Sequence, residues 1–84
     1  MKVLKFSMDS CMPCKMLSKI LEEVNSPVPI EEINIGVQMD LAAQYRIRGV
    51  PTCVLVDDEG NEIRRKVGMM NENEFKDFVG FLND

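Results

Sequence analysis

A chain of 84 residues has room for one domain, spanning 1–84, with a modest core, and its 45% hydrophobic and 29% charged residues are the balance of an ordered globule. A net charge of −4 excludes a general nucleic-acid binder, which needs a basic surface, and no run approaches the ~20 apolar residues that cross a bilayer. Three cysteines are too few for a disulfide framework, and the lack of histidine removes histidine zinc sites and Cys–His nucleophile pairs.

Residues 2–7, Lys-Val-Leu-Lys-Phe-Ser, read as a first strand. It follows Met1 directly, with no apolar region of signal-peptide type, so the expected location is cytoplasmic. Met8-Asp9-Ser10 is a short loop. From Cys11 to about Asn25 the pattern is helical: Met16, Leu17, Ile20, Leu21 and Val24 make one apolar stripe, and Lys15, Lys19, Glu22 and Glu23 take the wet side. Asn25-Ser26-Pro27-Val28-Pro29 stops that helix. Ile30 to Ile35 alternates as a second strand, and Gly36 ends it. Residues 37–46 hold a short helix with Asp40 as its expected cap and Leu41, Ala42, Ala43 and Tyr45 inside.

Arg48-Gly49-Val50-Pro51 is a loop before the β-rich run Thr52 to Val56. Asp57 to Asn61 has the chemistry of a hairpin turn, and Glu62 to Val67 returns as a fourth strand. Gly68 breaks it. A last helix, about Asn71 to Leu82, sets Phe75, Phe78, Val79 and Leu82 on one face. The order is βαβαββα. Helical connections predict that the first three strands are parallel, with right-handed crossovers, and the last pair is a hairpin. The fold class is α/β: a four-stranded mixed sheet flanked by three helices.

Cys11-Met12-Pro13-Cys14 falls at the first strand-to-helix junction. There the unpaired N–H groups and the macrodipole favour an anion, and the thiolate is the reactive form of cysteine. Cys11 is the candidate nucleophile. Cys14, three residues on, lies on the same side of the first turn and can resolve a mixed disulfide. Pro13 suits the first turn, where a missing N–H costs nothing, and Lys15 adds positive charge. The alternatives are a metal half-site and incidental buried thiols. A structural zinc takes four ligands, and Cys53 is the only other cysteine, so no metal is expected.

Three segments in order resemble the thioredoxin superfamily. Phe6-Ser7-Met8-Asp9-Ser10-Cys11-Met12-Pro13-Cys14-Lys15 is similar to its active-site segment, Tyr45 to Thr52 to its proline loop, and Lys66-Val67-Gly68 to the end of its last strand. The fold implied is a minimal thioredoxin fold, as in short archaeal or viral thioredoxin- and glutaredoxin-like proteins. The resemblance implies a cis Val50–Pro51 bond beside the sulfurs, with the Val50 backbone facing a groove where an extended substrate pairs. From the residues alone, a trans proline that starts a strand fits as well.

The chain departs from the family in three places. Ser10 stands where thioredoxins carry tryptophan, and Met12 replaces the usual glycine. Thioredoxins also carry a buried aspartate in the active-site strand and a lysine on its neighbour; matching the segments puts Lys5 and Glu32 there, an inverted pair. The expectation is that Lys5 and Glu32 pair beneath Cys14, and that Glu32 or a water assists its deprotonation. The alternative is that both side chains reach solvent. Cys53, in a buried run, reads as a small hydrophobe rather than a third redox thiol.

The implied activity is that of an enzyme, a protein-disulfide reductase working through Cys11 and Cys14. Its partners would be protein disulfides and an external reductase or glutathione. It would act as a monomer, with no cofactor beyond the Cys11–Cys14 disulfide and no nucleic-acid or membrane partner. The rival is a thioredoxin-fold binding subunit whose redox turnover is secondary.

Overall fold

Strand β1 (Lys2–Ser7) is buried from Val3 onward, on both of its faces, so it needs an interior place in the sheet. The computed structural model describes residues 1–80 and gives it that place. The sheet order is β2-β1-β3-β4, with β2 at Ile30–Asn34, β3 at Thr52–Val56 and β4 at Glu62–Val67. Helices α1 (Met12–Glu23), α2 (Met39–Gln44) and α3 (Glu72–Gly80) complete the order βαβαββα.

The period of two in β1 and β3 splits the core into two layers. Val3, Cys53 and Leu55 face α1 and α3, where they meet Leu17, Leu21, Met70, Phe75, Phe78 and Val79. Leu4, Phe6, Val54 and Val56 face the other way, with Ile33 and Tyr45, and Leu41, Ala42 and Ile47 pack against them. β3 is wholly buried, whereas β4 is an edge strand with exposed or half-buried residues throughout.

The expectation of three parallel strands is corrected. β1 and β2 are parallel, but β3 runs antiparallel to β1, with Phe6 opposite Thr52 and Lys2 opposite Val56. The reason lies in the second connection. α2 has six residues, about 9 Å of helix, and the chain reverses after it instead of entering β3 directly. It leaves the top of β2, where the Gln38 N–H donates to the Asn34 carbonyl. It ends at Tyr45, whose hydroxyl donates to the Gly60 carbonyl in the β3–β4 turn at the other end. Arg46, with φ of 55°, then turns the chain back, and residues 47–51 climb to the end from which it came.

Helix boundaries also shift. Asp40 is not the α2 cap; Gln38 holds that position, and Asp40 sits in the first turn, still favourable to the helix dipole. The Asn34 side chain accepts from Gly36 N–H and starts the turn early. α1 begins at Met12, with Cys11 as its cap, and ends at Glu23. α3 starts at Glu72 because Asn71 and Glu74 cap each other, side chain to backbone N–H in both directions. Leu82 lies outside the described residues.

Phe75 is fully buried between α3 and the sheet. Phe75→Ala should lower the unfolding free energy by about 3–5 kcal/mol, measured by urea denaturation, while the alanine at exposed Lys76 should cost well under 1 kcal/mol.

Candidate active site

The local sequence explains the position of the cysteines. Pro13 lies in the first turn of α1, and no acid occupies that turn. Cys11 is the N-cap, with extended backbone at φ −90° and ψ 103°, and its sulfur accepts the Cys14 N–H at 3.1 Å. Sulfur thus fills the role that a serine or aspartate oxygen usually has at a cap. Cys11 and Cys14 are joined in a disulfide with Cα atoms 5.2 Å apart. In the reduced form the N–H groups and dipole at this terminus favour a Cys11 thiolate. Cys14 is buried at 2% exposure, while Ser10, Met12, Pro13 and Lys15 are exposed around the pair.

The Val50–Pro51 peptide is cis. Thr52, the next residue, pairs with Phe6 near the end of β1, so this loop lies at the end of the sheet that carries the CxxC. The Pro51 carbonyl accepts Gly68 N–H at 2.8 Å, and Thr52 Oγ1 donates to the Gly49 carbonyl at 2.7 Å. Val50 is half-buried and Pro51 buried.

Lys5 and Glu32 are neighbours in the β1–β2 register, and Lys5 Nζ lies 2.9 Å from Glu32 Oε1. The two ends differ sharply in exposure: 2% for the Lys5 side chain and 58% for Glu32. The pair therefore forms, but it is neither buried as a unit nor solvated as a unit. Lys5 Nζ also donates to Ser18 Oγ, and Ser7 Oγ donates to Glu32 Oε1 at 3.1 Å. Glu32, Ser7, Ser18 and Cys14 line one polar cavity of about 330 Å³, with Lys15 and Asp9 at its rim. The hydrogen bond from Lys5 holds the Glu32 carboxyl below its usual 4.5, against a smaller opposing effect of burial.

Ser7 and Ser18 are site residues that sequence reasoning missed. Ser18 had a signal: it lies four residues after Cys14 on the same helix face. Among the described residues, no group of histidine, cysteine or acidic side chains could hold a metal ion. No described helix is long and apolar enough to cross a membrane.

Cys53 is a free thiol, fully buried opposite Lys5. Burial pushes its pKa from 9.0 up to about 12, and the Lys5 charge offsets only part of that. A raised folded-state pKa gives stability that is present below pH 9 and lost as pH climbs towards 12. Cys53→Val should therefore flatten the loss of stability over that alkaline range, and the oxidised native protein should show no thiol reactive to Ellman's reagent until it is unfolded.

Glu32 gives the opposite sign. Its lowered pKa contributes stability above pH 4.5 that disappears as pH falls through the folded value. Glu32→Gln should cost about 1–2 kcal/mol at neutral pH, a modest figure because the carboxylate is largely in water. In denaturation curves taken as a pH series, the gap from the parent should close below pH 4.5.

Comparison with known proteins agrees with this geometry. The family described as Thioredoxin-like domain matches residues 2–83. The SPbeta prophage-derived thioredoxin-like protein YosR of Bacillus subtilis (strain 168) is 37% identical over 68 residues, 81% of this chain and 82% of its own length. Thioredoxin from Pseudomonas aeruginosa is 33% identical over 73 residues, 82% of this chain and 67% of its own. The solved structure of a mutant thioredoxin from Halobacterium salinarum NRC-1 superposes with a TM-score of 0.89 at 30% identity, covering 99% of this chain and 74% of that one. The chain therefore belongs to the thioredoxin-like family, and its Cys11–Cys14 pair supports a redox function of the thioredoxin type.

Proposed function

We propose that this protein is a reductase of protein disulfides, acting by thiol–disulfide exchange. The observation that carries this reading is the Cys11–Cys14 disulfide across the first turn of α1, with the Cys11 sulfur at the helix N-terminus. In the reduced form the Cys11 thiolate attacks one sulfur of a substrate disulfide. A mixed disulfide forms, and the other substrate sulfur leaves as a thiolate. Cys14, as thiolate, then attacks Cys11 Sγ and expels the second substrate sulfur. The substrate gains two electrons and takes two protons, and the Cys11–Cys14 bond closes.

The loop before β3 supports a docking role for Val50, whose backbone would pair with an extended substrate segment as an added strand. Met12, at 64% exposure beside Cys11, offers a soft, adaptable contact, with Ser10 on the other side of the nucleophile. The proton that Cys14 gives up has a polar cavity to leave through. No cofactor takes part beyond the disulfide. An external reductase or glutathione returns the chain to its dithiol, and a reducing compartment such as the cytoplasm suits a monomer of this kind.

Insulin reduction tests the reading, with thioredoxin reductase and glutathione run in parallel as electron donors. The wild-type protein should accelerate insulin precipitation with at least one donor. Cys11→Ser should be inactive, and Cys14→Ser should stop after one turnover as a trapped mixed disulfide. No acceleration with either donor would overturn it. Full biological activity in a Cys11→Ser/Cys14→Ser variant would favour the binding-subunit alternative.

A further inference from the structure

Lys5 is the one buried charged side chain among the described residues; Ser7 and Thr52, the other buried polar ones, are neutral. Thiol exchange as written above does not use it. Yet its two partners connect it to the surroundings of the resolving cysteine. Its ammonium donates to Ser18, one helical turn beyond Cys14, and to Glu32, and both of these line the cavity that Cys14 lines.

The charged side chains that line the cavity with Cys14 are in water. Glu32, Asp9 and Lys15 are exposed around the same cavity. Glu22, which lines the adjoining cavity with Lys5 and Ser18, is exposed too. On β3, the group facing Lys5 is the thiol of Cys53, which is neutral at physiological pH. A charge acting through protein meets an effective dielectric near 20, against 80 in water, so it acts about fourfold more strongly at equal distance. An ion pair with its cation buried and its anion solvated therefore presents net positive potential to the interior.

We propose that Lys5 is a positioning residue whose buried ammonium stabilises the thiolate of Cys14. The resolving thiol is then activated by a fixed charge rather than by a carboxylate base, and the dithiol is more oxidising than it would be over a neutral residue. The step stays balanced. Cys14 releases its proton to solvent through the polar cavity, its sulfur attacks Cys11 Sγ, and the departing substrate thiolate takes a proton from water. The potential follows because stabilising the thiolate stabilises the reduced form, while the neutral disulfide gains nothing from the cation.

This inference rests on the dithiol chemistry proposed above, but its test is separable. Failure with insulin would sink that chemistry, whereas the thiol titrations are read on the reduced protein alone. The first arm follows the Cβ resonances of Cys11 and Cys14 by NMR through a pH titration. Lys5→Met should raise the Cys14 pKa by about one unit, a tenfold loss of thiolate at a given pH below it. Above both thiol pKa values, its equilibrium against glutathione should shift tenfold towards the disulfide, which is about 30 mV. Glu32→Gln should leave the Cys14 pKa unchanged or lower it. A Cys14 pKa that stays put or falls in Lys5→Met overturns the proposal, as does a rise in Glu32→Gln. The second arm needs no variant. In wild-type protein the Lys5 ammonium resonance should move in step with Cys14 when reduced and hold still over the same range when oxidised; no coupled step overturns the proposal.

Discussion

The Cys14 N–H donating to the Cys11 sulfur at 3.1 Å is the contact on which the rest of the site depends. It makes sulfur the cap of α1, so β1 stops at Ser7 and the helix starts at Met12. It also brings the second cysteine back to the first within one turn, close enough for a disulfide. An ordinary cap only satisfies a backbone donor. Here the same geometry sets the Cys11 sulfur where the helix terminus favours negative charge, so one atom meets a folding requirement and suits the proposed chemistry.

The sheet supplies the surroundings. Because β1 lies between β2 and β3, its end is flanked by the start of β3 and the end of β2. That brings the Val50–Pro51 loop and the Asn34–Gln38 turn to the same end as the CxxC. The antiparallel run of β3 is what makes this possible. A parallel β3 would start at the far end of the sheet and carry its proline loop away from the sulfurs. The short α2, anchored by Tyr45 against Gly60 and reversed at Arg46, is therefore part of how the site is assembled.

Most of this was legible in the residues where the signal is local. Periodicity located the strands and the long helix, and the CxxC with its proline marked the helix start. The direction of β3 was not legible, because it rests on a non-glycine residue with positive φ and on a tyrosine bond to a turn fifteen residues away. Neither leaves a pattern in a short window. The α2 cap went astray for a similar reason: Asp40 has the right chemistry, but the Asn34 turn starts the helix before it. Lys5 and Glu32 were legible as partners through the resemblance, since each falls where the family has the opposite charge. Their unequal burial was not, because exposure at those two positions depends on the order of strands in the finished sheet.

That order carries the last step. β1 is interior and β2 is an edge, so a side chain on β1 facing α1 is covered, while its register partner on β2 reaches past the rim of the sheet into water. Lys5 and Glu32 hold those two places. A buried ammonium is costly by itself, and bonds to Ser18 and Glu32 offset that cost without returning the charge to solvent. Had the pair sat on two interior strands, both charges would be buried and their fields would largely cancel at Cys14. Had both been on the edge, water would screen them equally. A pair that straddles the boundary between interior and edge has its two charges screened unequally, and that asymmetry is what the proposed stabilisation of the Cys14 thiolate uses. The same residues elsewhere in the sheet would be a salt bridge of no chemical consequence.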